Sequence, residues 1–247
     1  DLNWVILPKD QPNEKLNMML AAGEDLDVVR LTDRNLFGSY LSQNVLTAID
    51  EYLPNCPNIQ KFIPEETWAP VIWQGKTYAV PIPQSYDATS GVVVRKDWLD
   101  ELGLKEPVTL EEYRNTLVAL KEKTEYPFSC TGLSLIGGFT GAFGIGTAYA
   151  VKDDKVVYTY VEPEGKEYLA YMNRLYKEEL IDPECPINKD ASLKEKIINN
   201  QVGMTVLGWS SMLSIDTDFK AKVPDGNLKV IAPPVGNNGQ SGFSKTQ

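Results

Sequence analysis

Apolar positions along the chain change period several times, and each change predicts an element. Leu110, Tyr113, Leu117 and Leu120 fall on one helical stripe, and Thr109 followed by Glu112 has the spacing of a capping box at its start. From Gly91 to Arg95 the pattern is a continuous valine run, which predicts a strand. Lys96 to Leu102 then carries Trp98, Leu99 and Leu102 at helical spacing, with Gly103 placed to end the helix. Upstream, Thr77 to Val80 alternates as a strand. Pro81 and Pro83, which lack an N–H, turn it into an extended segment that cannot sit inside a sheet. The polar stretch from Gln84 to Ser90 joins the two, so the order is strand, polar bend, strand, helix.

Trp4 to Leu7 and Leu26 to Leu31 read as strands on either side of a helix that Asn13 can cap and that bears Leu16, Met19 and Leu20. That order predicts a βαβ unit with parallel strands. Asp33 stands at the N-cap of the next helix, which bears Leu36, Phe37, Tyr40 and Leu41. Asp33 and Arg34 thus fall beyond a strand's carboxyl end, where doubly wound sheets bind ligands, although capping alone is a sufficient reason for Asp there. Residues 44–73, with Pro54, Pro57, Pro64 and Pro70, predict no regular element.

Later in the chain, Phe128 to Leu135 reads as a strand. The glycine-rich IGGFTGAFGIG after it reads as a flexible loop lining a cleft, since it lacks the lysine of the phosphate-binding G-x-x-x-x-G-K-[ST] pattern. Residues 148–160 alternate as a hairpin turning at Asp153 and Asp154. Lys166 to Leu180 has Tyr168, Tyr171, Met172, Leu175 and Tyr176 on its apolar side and stops at Asp182-Pro183. A short helix from Leu193 to Asn200 precedes a strand, Val202 to Leu207, that delivers Gly208-Trp209. Asn227 to Ile231 predicts the last strand.

Composition narrows the chemistry. With 247 residues, 43% of them hydrophobic, the chain can bury a large core in one or two domains. No window is apolar for the roughly 18 residues a membrane span needs, and the start, DLNWVILPKD, does not have the form of a signal peptide. A net charge of −10 argues against nucleic acid or an anionic membrane surface as partner and suits a neutral ligand better. Cys56, Cys130 and Cys185 are far apart in a chain without histidine, so neither a metal site nor a Cys-His nucleophile is expected. One disulfide between two of them is compatible with an exported protein, but three cysteines prescribe no framework.

GKTYAVPIP, VVVRKDWLDELGL and PVTLEEYRNTL, together with DLDVVRLTDRNLFGSYLSQNVLTAID and NNQVGMTVLGW, resemble the extracellular solute-binding proteins of bacterial ABC importers, in the sugar-binding class that includes maltose-binding protein. The resemblance covers nearly the whole chain. It implies an α/β fold of type II periplasmic-binding-protein kind, with two lobes, each a mixed sheet flanked by helices. The expected first lobe is 1–105, incomplete and joined by the tail 227–247; the second is 106–226. It also implies a fragment lacking both ends of the family's chain, and crossings between lobes at Val80 to Thr89 and around Pro224 to Val235.

The resemblance further implies capture of an extracellular solute, a saccharide or oligosaccharide, for a membrane permease. The protein would be a monomer without cofactor, at the cell surface as a lipoprotein or in the periplasm. Asp33 and Arg34 match a pair that bonds sugar hydroxyls, although Arg30, Leu31 and Thr32 stand where relatives have an aromatic ring. Trp209 matches a tryptophan that stacks on a sugar face, and Gln84, Tyr86 and Asp87 lie on the expected crossing. Two other uses of the fold are an enzyme acting on glycans, with Asp33, Tyr86 and Asp87 as its acid–base candidates, and a sensor or adhesion module.

Overall fold

The computed structural model describes residues 3–8, 11–82, 90–132 and 137–242. The chain divides into two compact units, Asp1–Ser85 and Tyr86–Gln247. The first holds helices α1 (Pro12–Ala21), α2 (Arg34–Ser42) and α3 (Pro57–Phe62) and a two-stranded antiparallel hairpin of β1 (Ile72–Trp73) and β2 (Lys76–Thr77). The segments 4–7 and 26–31, expected as parallel strands, form no ladder, and Trp4, Ile6 and Val28 are exposed. A strand exists through its hydrogen-bonded neighbour, and neither segment finds one among the described residues. The strand expected over Thr77 to Val80 is likewise shorter and ends at Thr77. There the Asp50 carboxylate accepts the Thr77 N–H at 3.1 and 3.0 Å, while the Ile49 N–H donates to the Thr77 carbonyl at 2.8 Å.

The second unit begins with β3 (Ser90–Arg95) and α4 (Lys96–Glu101), followed by α5 (Leu110–Leu120), β4 (Tyr126–Phe128) and the short α6 (Gly137–Thr140). The hairpin of β5 (Tyr149–Lys152) and β6 (Lys155–Tyr158) leads to α7 (Pro163–Lys177), α8 (Asp190–Ile198), β7 (Val202–Gly208), α9 (Trp209–Lys222) and β8 (Leu228–Ile231). Four strands make one sheet in the order β4-β7-β3-β8. β3 is antiparallel to both neighbours, with Val93 opposite Thr205 and Val230, while β4 and β7 run parallel.

Helices cover both faces of this sheet. Val92 and Val94 enter a core with Trp98, Leu99, Tyr113, Leu117, Phe128 and Leu175, supplied by α4, α5, β4 and α7. Val93, on the alternate face, enters a second core with Leu193, Ile197, Ile215 and Phe219 from α8 and α9. The continuous valine run is thus a strand buried on both sides. The capping box forms as its spacing predicts: Thr109 Oγ1 accepts the Glu112 N–H at 3.2 Å, and Glu112 Oε2 accepts the Thr109 N–H at 2.9 Å.

Two expectations are corrected here. The boundary expected near residue 105 falls instead between Ser85 and Tyr86, because β3 pairs with β7 and β8 and α4 packs into the same core. The tail expected to rejoin the first lobe stays with the second unit as far as residue 242. There β8 pairs with β3, the Tyr113 hydroxyl donates to the Ala232 carbonyl, and the Val235 N–H donates to the Val108 carbonyl at 2.8 Å. Gly236 then passes so close that a Cβ there would fall 1.7 Å from the Ala142 carbonyl oxygen. The glycine-rich loop is corrected as well: residues 137–143 are helical, and Phe139, Ala142 and Ile145 are buried in the core rather than lining a cleft.

The two faces of α5 give a direct check. Leu117 is 0% exposed and its neighbour Val118 is 43% exposed. Leu117→Ala is expected to lower unfolding free energy by about 2–5 kcal/mol, whereas Val118→Ala stays within about 0.5 kcal/mol of the parent, both read from urea denaturation. Equal losses would contradict the assigned core face.

Candidate ligand-binding site

In the second unit, β4 and β7 are parallel neighbours, so their carboxyl ends lie on one edge of the sheet. β7 runs through Gly208, extended at φ −67° and ψ 143°, directly into α9, whose first residue is Trp209. The indole is 53% exposed. Gly208, the residue before the helix, has no side chain with which to cap it. A flat apolar face next to backbone donors is a surface on which a ring bearing hydroxyls can stack and be bonded.

In the first unit, Asp33 does what its position predicts for a cap. Its Oδ1 accepts the N–H groups of Asn35 at 2.8 Å and Leu36 at 3.2 Å, and its Oδ2 accepts from Asn13 Nδ2 at 3.2 Å, tying the start of α1 to the start of α2. Most of the carboxylate's acceptor capacity is therefore engaged within the chain. Arg34 is different. It is exposed, and no hydrogen bond or ion pair holds its guanidinium among the described residues. A cation at the positive end of a helix opposes the helix dipole by about 0.3–1 kcal/mol, so its place is not explained by the stability of α2.

Trp68 is half-buried rather than a core residue, and with Leu53, Gln60, Ile63, Glu65, Ile72 and Thr77 it lines an open depression of about 420 Å³ within the first unit. Gln84, Tyr86 and Asp87 lie outside the described residues. The structure thus brings Asp33 and Arg34 together at the start of α2 and places Trp209 at the start of α9, each in its own unit. Among the described residues, no group of three or more His, Cys, Asp or Glu could hold a metal ion, and no helix is long and apolar enough to cross a membrane.

Sequence reasoning missed a buried polar cluster beside β4. Asp182, 1% exposed, accepts from Ser129 Oγ at 2.6 Å, Lys196 Nζ at 2.7 Å and Asn188 Nδ2 at 2.9 Å through Oδ2, and from the Glu184 N–H at 2.9 Å through Oδ1. Burial pushes its carboxyl up, but the bonds from Lys196, Ser129, Glu184 and Asn188 together outweigh burial and hold it below the usual range. In sequence, Asp182-Pro183 carries only the signal of a helix stop, and its partners come from three separate segments. The cluster fixes the carboxyl end of β4, with Ser129, Asn188 and Lys196 all bonded to the buried Asp182 carboxylate.

Its pH dependence has a definite sign. A carboxyl depressed in the folded state contributes stability that is fully present above the unfolded value, near pH 4, and is lost as pH falls through the folded value. Asp182→Asn is expected to cost about 2–4 kcal/mol at pH 7, a gap constant down to about pH 5 that narrows below about pH 4. Urea titrations of parent and variant between those limits check it; a gap that widens on acidification contradicts the assignment.

Comparison with known proteins places these features. The family described as bacterial extracellular solute-binding protein matches residues 1–245. The polygalacturonan/rhamnogalacturonan-binding protein YtcQ of Bacillus subtilis (strain 168) is 26% identical over 274 residues, covering 100% of this chain and 53% of that protein. The fructooligosaccharide ABC transporter substrate-binding protein FusA of Streptococcus pneumoniae serotype 4 is 27% identical over 202 residues, covering 70% of this chain and 37% of that one. Among solved structures, the alginate-binding protein AlgQ2 without calcium ion superposes with a TM-score of 0.75 at 23% identity, over 93% of this chain and 51% of that one. The chain therefore has the α/β fold of these binding proteins and spans about half the length of the first curated relative.

Proposed function

The chain belongs to the family of bacterial extracellular solute-binding proteins, and on that footing we propose that it captures a saccharide, most simply an oligosaccharide, outside the cytoplasmic membrane for delivery to the permease of an ABC importer. The observation that carries this reading is Trp209, a half-exposed indole held where a core strand passes directly into the first turn of α9. A sugar ring stacks its C–H face on the indole while its hydroxyls take the donors around it. Arg34, exposed at the start of α2, and Gln84, Tyr86 and Asp87, which lie outside the described residues, are the further candidates for contact with the ligand. Asp33 positions Arg34 by capping α2 and shares its remaining acceptor capacity with a hydroxyl.

Binding of this kind makes and breaks no covalent bond. It draws support from relatives whose names describe saccharide binding. The rival use as a glycan-active enzyme gains nothing from Asp33, whose carboxylate is engaged in capping.

Calorimetric titration of the full-length protein against neutral fructooligosaccharides, other oligosaccharides and oligogalacturonates tests the proposal. At least one saccharide is expected to bind and to be recovered unchanged. Trp209→Ala is expected to weaken that saccharide by roughly 30-fold, about 2 kcal/mol, while Trp209→Phe retains most of the affinity. Asp33→Asn keeps the α2 cap through Oδ1 but gives up the bond from Asn13 together with the charge, so its melting temperature is read beside its affinity to separate the ligand contact from stability. Absence of binding across the panel, or unchanged affinity in Trp209→Ala, contradicts the reading.

A further inference from the structure

Cys130 and Cys185 lie side by side in the interior of the second unit. Backbone hydrogen bonds fix the two segments against each other around the pair. The Phe128 N–H donates to the Leu180 carbonyl at 3.0 Å, the Asp182 N–H to the Phe128 carbonyl at 2.8 Å, and the Gly132 N–H to the Cys185 carbonyl at 2.7 Å. The Cys130 N–H donates to Cys185 Sγ at 3.1 Å, and Cys130 Sγ donates to the Gly132 carbonyl at 3.4 Å. Both are free thiols, 1% and 0% exposed, in the core cluster that also holds Phe128, Phe139 and Ile181. A hydrogen bond between the two thiols pushes Cys130 up, where burial adds to it, and draws Cys185 down. Cys56 sits apart, half-buried in the first unit.

We propose that Cys130 and Cys185 join as a disulfide when the chain folds under oxidising conditions, and that Cys56 remains a thiol. The compartment is taken from the function proposed above; the choice of partners rests on the geometry alone. The oxidant is another disulfide, of a small thiol or of a thiol oxidoreductase. The thiolate of one of the two cysteines attacks one of the oxidant's sulfurs and expels the first thiolate, giving a mixed disulfide. The other cysteine, after losing its proton, attacks the Sγ of the first and expels the second thiolate. Two electrons and two S–H hydrogens pass to the oxidant, which leaves as two thiols.

Because both sulfurs are sealed in the core, the exchange precedes core closure, and the finished bridge is out of reach of reductants until the unit unfolds. The bridge ties the carboxyl end of β4 to the segment after α7. It joins residues 55 apart and so encloses α6, the β5–β6 hairpin and α7 in one loop. A loop of that length removes much of the freedom of the unfolded chain.

The full-length protein is unfolded, reduced and refolded in a glutathione buffer at its oxidising limit, then alkylated and digested without reductant. The expected result is one linked peptide pair joining Cys130 to Cys185, with Cys56 alkylated. The bridged protein is also expected to melt about 5–15 °C above the same protein refolded in reductant. Alkylation at all three cysteines, or a bridge that includes Cys56, overturns the assignment. Saccharide titration of both preparations keeps the two readings apart. A bridged protein that binds no saccharide removes the saccharide reading and supports the pairing; saccharide binding with all three thiols free does the reverse.

Discussion

The second unit depends on how β3 is held. Its valines feed two cores at once, Val92 and Val94 on one face and Val93 on the other, between antiparallel neighbours on both sides. A strand apolar on both faces does not fix its own register by hydrophobicity, since a slip of one residue exchanges valine for valine. Arg95 supplies what the valines lack. Its guanidinium, 2% exposed, is forked onto Asp97, bonded to Asn200 Oδ1, and stacked 3.7 Å from the ring centroid of Trp98. Asp97 travels with Arg95, so what a slipped register breaks is the guanidinium's bond to Asn200 Oδ1 and its contact with the Phe219 ring. A buried donor left unpaired costs about 1–3 kcal/mol, so one charged side chain helps set the alignment of an apolar strand.

The candidate site inherits its rigidity from this arrangement. β7 is gripped by β3 on one side and β4 on the other and carries the chain to Gly208, while α9 returns to bury Ile215 and Phe219 against the Val93 face. Trp209 is therefore exposed but anchored at both ends of its own backbone, which limits the entropy lost when a ring stacks on it. The Asp182 cluster does the same for the neighbouring strand end by charge-assisted hydrogen bonds, and the Cys130 N–H bonded to Cys185 Sγ adds a further link between the same two segments.

Elements whose signal is local were legible in the sequence. The capping box and apolar stripe of α5, the β5–β6 hairpin turning at Asp153 and Asp154, and the β7-to-Trp209 junction all follow from residues within a few positions of one another. What failed depends on distant partners. The segments 4–7 and 26–31 have the composition of strands but no described ladder, and the expected return of the tail 227–247 to the first lobe fails because β8 pairs with β3. The Asp182 cluster was invisible because Ser129, Asn188 and Lys196 meet only in the fold. Of the site, Asp33 is readable both as cap and as contact, and the structure shows the first; Arg34 beside it, without a partner among the described residues, carries no periodic signal at all.

The central claim is that one exposed indole on a fixed strand end receives the face of a sugar ring. The most direct test is a crystal structure of the full-length protein with its tightest-binding saccharide. The account predicts a pyranose or furanose ring lying parallel to the Trp209 indole within van der Waals contact, about 3.5–4 Å. A saccharide bound with Trp209 facing solvent or packed only against protein would contradict it.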